Sequence, residues 1–222
     1  MIIKQLLDED FVNYKKPSMF IGFPNCNWKC ERECGMRVCQ NGALAQAPSI
    51  DIPTRALVER YMDNPITQAV VCGGLEPLDS WDELQCFIMY FRYYSPDDIV
   101  IYTGYTEEEI KDKLKWLELY EPIVVKFGRY VPNQEPHYDT VLGVKLASEN
   151  QYARRLGMRI TTNSDLDLVA DIRSKLKENG GYCPCSLVKN DSTKCMCKEF
   201  RDQIERGEPG ECHCGLYVAS ND

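Results

Sequence analysis

Ser18-Met-Phe-Ile-Gly-Phe23, running straight into Pro24-Asn-Cys26-Asn-Trp-Lys-Cys30, is the stretch that sets the fold. Its first six residues are a short apolar run and read as a buried strand, and the next seven leave that strand as a thiol-bearing loop. The pattern recurs downstream. Ala69-Val-Val-Cys72, Asp98-Ile-Val-Ile-Tyr-Thr103, Pro122-Ile-Val-Val-Lys126 and Val141-Leu-Gly-Val-Lys-Leu146 each read as a buried parallel strand, with helical patterns in the intervals. The expectation is an α/β fold in which helical crossovers join parallel strands. Ligands in such sheets collect beyond the carboxyl ends of the strands, where the cysteine loop after Phe23 and the glycines after Cys72 both lie.

Helix starts are legible between the strands. Thr106 with Glu109 three residues on makes a capping pair, Asp79 or Ser80 can cap a helix from Trp81 towards Tyr93, and Thr54 opens another. A first domain is expected over residues 1–158 and a second over 159–222. In the second, Leu166, Val169, Ile172 and Leu176 recur at helical spacing, with Ser164 as cap and Gly180-Gly181 as stop. The residues beyond those glycines are few, polar and rich in cysteine, too little to build much core without a metal staple. A small, mainly helical cysteine-rich domain is therefore expected there.

The 222 residues are 44% hydrophobic and 27% charged, a balance that speaks for a folded chain rather than a disordered or membrane-embedded one. A formal net charge of −8 argues against a nonspecific grip on nucleic-acid backbones, which needs surplus Lys and Arg. Residues 1–10 lack a basic region followed by an apolar run, and no stretch reaches the roughly 18 apolar residues of a membrane helix. No membrane association and a cytoplasmic location are expected. Twelve cysteines in such a chain point to metal or redox use rather than a disulfide framework.

Four of them fall between Cys26 and Cys39. Iron–sulfur clusters are held by thiolates, and a four-iron cluster with three protein ligands keeps one iron open to a substrate. Four cysteines also suit zinc, although tetrahedral zinc sites commonly use closer Cys-x-x-Cys pairs. At the end of the next strand, Cys72-Gly-Gly-Leu-Glu-Pro77 combines paired glycines that let a ligand approach the backbone with Glu76, an acceptor for a cationic amine. A tight strand-to-helix turn accounts for the glycines equally well.

Taken together, Cys26-x-x-x-Cys30 with Cys39-Gln-Asn41, Gly73-Gly74-Leu75-Glu76-Pro77, Tyr102-Thr103-Gly104-Tyr105-Thr106, Gly128-Arg129-Tyr130 and Ser148-Glu149-Asn150-Gln151 resemble the radical S-adenosylmethionine superfamily. Within it they resemble the activating proteins of anaerobic ribonucleotide reductase. The resemblance implies a partial (β/α) barrel, a [4Fe–4S] cluster on Cys26, Cys30 and Cys39, and S-adenosylmethionine chelating the fourth iron. Gly73, Gly74, Glu76, Pro77, Thr103, Gly104 and Val38 would then line the cofactor site, Val38 standing where the family usually has an aromatic residue against adenine. The implied reaction is reductive cleavage to a 5′-deoxyadenosyl radical that takes hydrogen from a glycine of the reductase large subunit, with ferredoxin or flavodoxin as electron donor. The family pattern has two residues between its second and third cysteines where this chain has eight, which reads as a loop insertion. Cys34 is the rival third ligand.

Cys183-Pro-Cys185, Cys195-Met-Cys197 and Cys212-His-Cys214 place six more thiols near the end. One four-ligand cluster and a redox disulfide would use them all, and a zinc-stapled docking tail is the alternative. The order of the pairs resembles the catalytic subunit of ferredoxin:thioredoxin reductase. That resemblance implies a second [4Fe–4S] cluster on Cys183, Cys195, Cys197 and Cys212. It also implies an active disulfide of Cys185 and Cys214, His213 as proton donor, and a thioredoxin-like partner. A cluster beside a disulfide can deliver singly the two electrons that the disulfide needs. Two enzymatic functions follow: a glycyl-radical activating enzyme, or a ferredoxin-dependent disulfide reductase fused to a radical S-adenosylmethionine-like domain. A zinc-binding interaction module is the third. Cys72 and Cys86 read as small buried residues, His137 as a surface residue, Glu107 to Glu109 as the acidic first turn of a helix, and Tyr90 to Tyr94 as a helix side packed on the sheet.

Overall fold

The computed structural model describes residues 1–157 and 159–220. They form two compact units, one ending at Leu156 and one beginning at Gly157. Met158, the last residue of the expected first domain, and Asn221-Asp222 lie outside the described residues.

The first unit runs β1 (Ile2–Ile3), β2 (Gln5–Asp10), β3 (Ser18–Phe23), α1 (Lys29–Cys34), α2 (Gly42–Gln46), β4 (Ile50–Asp51), α3 (Thr54–Met62), β5 (Ala69–Gly74), α4 (Trp81–Tyr94), β6 (Asp98–Tyr102), α5 (Lys111–Leu117), β7 (Ile123–Phe127), β8 (His137–Asp139), β9 (Val144–Leu146) and β10 (Tyr152–Arg155). Its six-stranded sheet has the order β10-β7-β6-β5-β3-β2. The inner strands β3, β5, β6 and β7 are parallel, whereas β2 and β10 pair antiparallel at the edges, so the sheet is mixed. Both faces of the inner strands are covered. Met19, Ile21, Val70, Ile99 and Val125 pack with Leu57, Phe87 and Phe91 of α3 and α4, while Phe20, Val71, Val100 and Val124 pack with Tyr14, Leu142 and Leu146. Each such side chain contributes about 1.5–3 kcal/mol on full burial, which is why these strands read as unbroken apolar runs.

Val141 to Leu146 departs from expectation. Only Val144–Leu146 is a strand, paired antiparallel with β8 outside the main sheet, and Val141 and Leu142 instead cap the second face of the sheet. The Thr106–Glu109 capping pair forms: the backbone N–H of Thr106 donates to Glu109 Oε2 (2.9 Å) and that of Glu109 to Thr106 Oγ1 (3.4 Å). Ser80 precedes α4, but neither it nor Asp79 caps the helix through its side chain. Cys72 is buried as expected, but Cys86 on α4 is exposed. Tyr93 and Tyr94 are exposed as well, because the apolar stripe of α4 is Leu84, Phe87, Ile88 and Phe91. His137 is half-buried in β8, with a buried Nδ1 that has no hydrogen-bond partner.

At the amino ends of the strands, the Arg92 guanidinium donates to four carbonyls: Ser95 O (3.0 Å), Asp97 O (2.7 Å), Tyr120 O (3.0 Å) and Pro122 O (3.0 Å). Asp98, 2% exposed, accepts there from Tyr14, Lys16 and Arg155.

The second unit contains β11 (Arg159–Thr162), α6 (Leu166–Glu178), α7 (Lys198–Glu205), β12 (Gly210–Glu211) and β13 (Tyr217–Ser220). Beside its two helices stands an antiparallel sheet of order β11-β13-β12, which the helical expectation did not contain. Val169, Ile172, Phe200, Cys212, Leu216 and Ala219 form its core. The cap of α6 is Asp165 rather than Ser164, its carboxylate accepting from the N–H groups of Asp167 (3.1 Å) and Leu168 (3.0 Å). The helix stops at Gly180-Gly181, where the Gly181 N–H returns to Leu176 O at 2.7 Å. Among the described residues no helix is long and apolar enough to cross a membrane.

Candidate functional site

Beyond the carboxyl ends of β3, β5, β6 and β7 lies a cavity of about 360 Å³, lined by Cys26, Cys30, Cys39, Gly73, Gly74, Glu76, Thr103 and Gly104 among others. That volume is in the range of small-molecule pockets. The cavity brings together thiols from three places in the chain. Cys26 comes from the loop after β3, Cys30 from α1, and Cys39 from the turn before α2. Cys34, though half-buried, is not part of the lining, and neither are Val38 and Pro77. Pro77 is buried in the turn that follows Glu76.

The backbone explains the glycines. Gly74 has φ +86°, and a Cβ there would stand 2.8 Å from Gly22 Cα, so the closeness of β3 and β5 at this point depends on the missing side chain. Across the cavity, Gly128 has φ +92° and would drive a Cβ to 2.7 Å from Asn150 O. Gln151 donates to Gly128 O (3.2 Å) and Asn150 to Arg129 O (2.9 Å), so the Ser148 to Gln151 run braces the turn that forms this wall.

Glu76 is 6% exposed and accepts from Leu78 N (3.1 Å), Thr103 Oγ1 (2.8 Å) and Gly104 N (2.8 Å). A carboxylate has roughly four lone-pair sites, so one acceptor position stays available. Burial pushes this carboxyl up to about 7, against the pull of those three donors. Lys126, on β7 and 7% exposed, donates to Gly128 O (2.7 Å) in the same cavity. Burial brings its ammonium down to about 8 while the Glu76 charge opposes that shift. The Cys26 thiol is pushed up to about 11, first by burial, with Glu76, Cys30 and Asp79 adding to it. Burial and then the Cys39 charge raise Cys30.

Cys30 thus acts on Cys26, and Cys39 on Cys30. Among the described residues, no three His, Cys, Asp or Glu side chains close on a single ion. Three thiols on one wall, a free volume beside them and no fourth cysteine in the lining fit a cluster held by three thiolates.

In the second unit Cys183 and Cys212 are buried, Cys195, Cys197 and Cys214 half-buried, and Cys185 exposed. Cys183, Cys185, Cys197 and the exposed His213 line one groove of about 740 Å³. Cys195, Cys212 and Cys214 pack from the core side. The sulfurs of Cys212 and Cys214 are 3.5 Å apart, and burial pushes the Cys214 thiol up to about 12. Cys185, the expected disulfide partner of Cys214, is exposed on the groove, and after burial the nearby Cys183 and Cys212 raise its thiol.

Asp79, Tyr105, Lys126 and Arg129 stand in or beside the first cavity, although sequence reasoning assigns none of them a role in the site. Lys126 carries a usable signal, since a cation closing an apolar strand is unexpected in a buried position. The pairing of Asp79 with Tyr105 carries none, because the two are distant in the chain.

Neither the curated proteins nor the solved structures contain a match to this chain. Among protein families, the model described as 4Fe-4S single cluster domain matches residues 19–151. This covers more than half of the chain and includes Cys26, Cys30 and Cys39. The protein therefore belongs to the 4Fe-4S single cluster domain family and is an iron–sulfur protein.

Proposed function

We propose that the first unit is a radical S-adenosylmethionine enzyme that activates the large subunit of an anaerobic ribonucleotide reductase by forming a glycyl radical. One observation carries the reading: Cys26, Cys30 and Cys39, without Cys34, share a cavity with Gly73, Gly74 and Glu76 at the carboxyl ends of parallel strands. In this reading the open sheet is a partial (β/α) barrel. A [4Fe–4S] cluster on these thiolates supplies, when bound, an open iron for the amine and carboxylate of S-adenosylmethionine and the electron that cleaves the sulfonium. The remaining work falls to the chain. The Gly73-Gly74 edge admits the methionyl end, the remaining acceptor position of Glu76 accepts a hydrogen bond from its amino group, and Lys126 balances the Glu76 charge within the same cavity. Enclosure strengthens each of these interactions.

Ferredoxin or flavodoxin is the proposed electron donor. The second unit would hold a further [4Fe–4S] cluster on Cys183, Cys195, Cys197 and Cys212, and would exchange electrons with a thioredoxin-like protein through Cys185 and Cys214. The groove joining exposed Cys185 to His213 supports that part. The same groove favours the second reading, a ferredoxin-dependent disulfide reductase fused to a radical S-adenosylmethionine-like domain. Anaerobic incubation with S-adenosylmethionine, a strong reductant and a candidate reductase decides between them. 5′-Deoxyadenosine and a glycyl-radical signal are expected. Their absence, with redoxin reduction that survives loss of Cys26, Cys30 and Cys39, overturns the first reading in favour of the second.

A further inference from the structure

The segment from Pro24 to Trp28 belongs to no helix or strand, yet it carries the first cysteine. Side chains from two other loops hold it. On one side of Cys26, Asn25 O accepts from Glu76 N (2.8 Å) and Asn25 Nδ2 donates to Ser80 Oγ (2.9 Å). On the other side, the backbone N–H of Asn27 donates to Asp79 Oδ2 (2.7 Å). Tyr105 closes the arrangement: its hydroxyl donates to Asp79 Oδ1 (2.6 Å) and accepts a short hydrogen bond from Asn27 Nδ2. Asn27, Asp79 and Tyr105 thus form a closed ring of hydrogen bonds drawn from the loops after β3, β5 and β6. Asp79 is available for it because it does not cap α4.

The ring is linked to the amine-binding carboxylate. Tyr105 N donates to Thr103 Oγ1 (3.1 Å), and Thr103 Oγ1 donates to Glu76 Oε1 (2.8 Å). One three-residue run, 103–105, therefore sets both Glu76 and the backbone beside Cys26. The Arg129 guanidinium lies 5.6 Å from the Tyr105 ring centre, which fixes the ring independently of its hydroxyl.

We propose that Tyr105, acting through Asp79, is a positioning residue that fixes the distance between the first cluster thiolate and the Glu76 carboxylate. This rests on the function proposed above. An iron and a carboxylate that must grasp one methionyl group tolerate little misplacement, so a hydroxyl that touches neither can govern how well both act together.

Tyr105→Phe removes only the hydroxyl and keeps the ring. In anaerobically purified full-length protein, iron content should be retained. The S-adenosylmethionine concentration giving half of the change in the reduced cluster's electron paramagnetic resonance spectrum should rise roughly tenfold, the scale of one lost hydrogen bond to a charged group. The cluster's midpoint potential should also move. In the metal-free protein, amide hydrogen exchange over residues 25–28 should quicken in Tyr105→Phe and in Asp79→Ala, with Asp79→Asn, which keeps an acceptor for the Asn27 amide, lying nearer the native rate. Unchanged exchange, potential and cofactor dependence in Tyr105→Phe overturns the proposal, and should that variant not fold, the Asp79→Asn and Asp79→Ala pair decides on exchange alone. A native protein whose cluster spectrum ignores S-adenosylmethionine overturns the proposed function instead, while exchange and potential still judge the clamp.

Discussion

Glu76 accepts three hydrogen bonds and is still driven towards its neutral form, because the loss of water around a 6%-exposed carboxyl outweighs them. Its folded value, about 7, lies above its ordinary value of 4.5. The folded state therefore binds the proton more tightly than the unfolded chain does. The stability this adds is complete below about 4.5 and is lost as pH rises through about 7. In metal-free protein, raising the pH from about 5 to about 8 should lower the melting temperature by several degrees more in the native chain than in Glu76→Gln. Equal slopes in calorimetry would contradict this account. In the proposed function, the acceptor position that the three donors of Glu76 leave open serves the amino group of the methionyl ligand.

At the scale of elements, the cysteine loop and α1 divide four thiols into three that line the cavity and one that does not. Cys39→Ser should lose the first cluster and its visible absorbance, whereas Cys34→Ser should keep both, as iron and sulfide assays on anaerobic protein would show. Iron lost from Cys34→Ser would make Cys34 the ligand instead. The inner strands were legible because burial on both faces leaves an apolar signature that needs no context. The edges were not: Gln5–Asp10 is largely polar, Tyr152–Arg155 is half charged, and each is defined by its neighbour rather than by its own pattern. Val141 to Leu146 shows the converse error, since an apolar run proves burial without proving a strand. Cys26, Cys30, Gly74 and Glu76 stood out through the family resemblance, since spacing alone left zinc open for the cysteines and a plain turn for the glycines. The Asp79–Tyr105 pair joins positions 26 residues apart, and nothing local marks it.

At the scale of the whole molecule, the two units differ in what sustains them. The first has a large apolar core on both sides of its sheet, whereas the second has a small core that includes the Cys212 thiol itself. If both clusters are present, anaerobic protein should carry roughly eight irons per chain. Chelation should then abolish hydrogen-exchange protection in the second unit while leaving the inner strands of the first unit protected, because metal binding energy is folding energy where the core is small. Protection in the second unit that survives full iron removal would show that it stands by its own packing. In the first unit, the Arg92 guanidinium seizes four carbonyls at the amino ends of the strands, whereas the loops at the carboxyl ends are joined by side-chain contacts that can break singly. The strand bases thus act as a fixed anvil. One cation there ties the backbone leading into β6 to that leading into β7, so its loss would free four carbonyls at once, whereas each tie at the opposite end gives way alone.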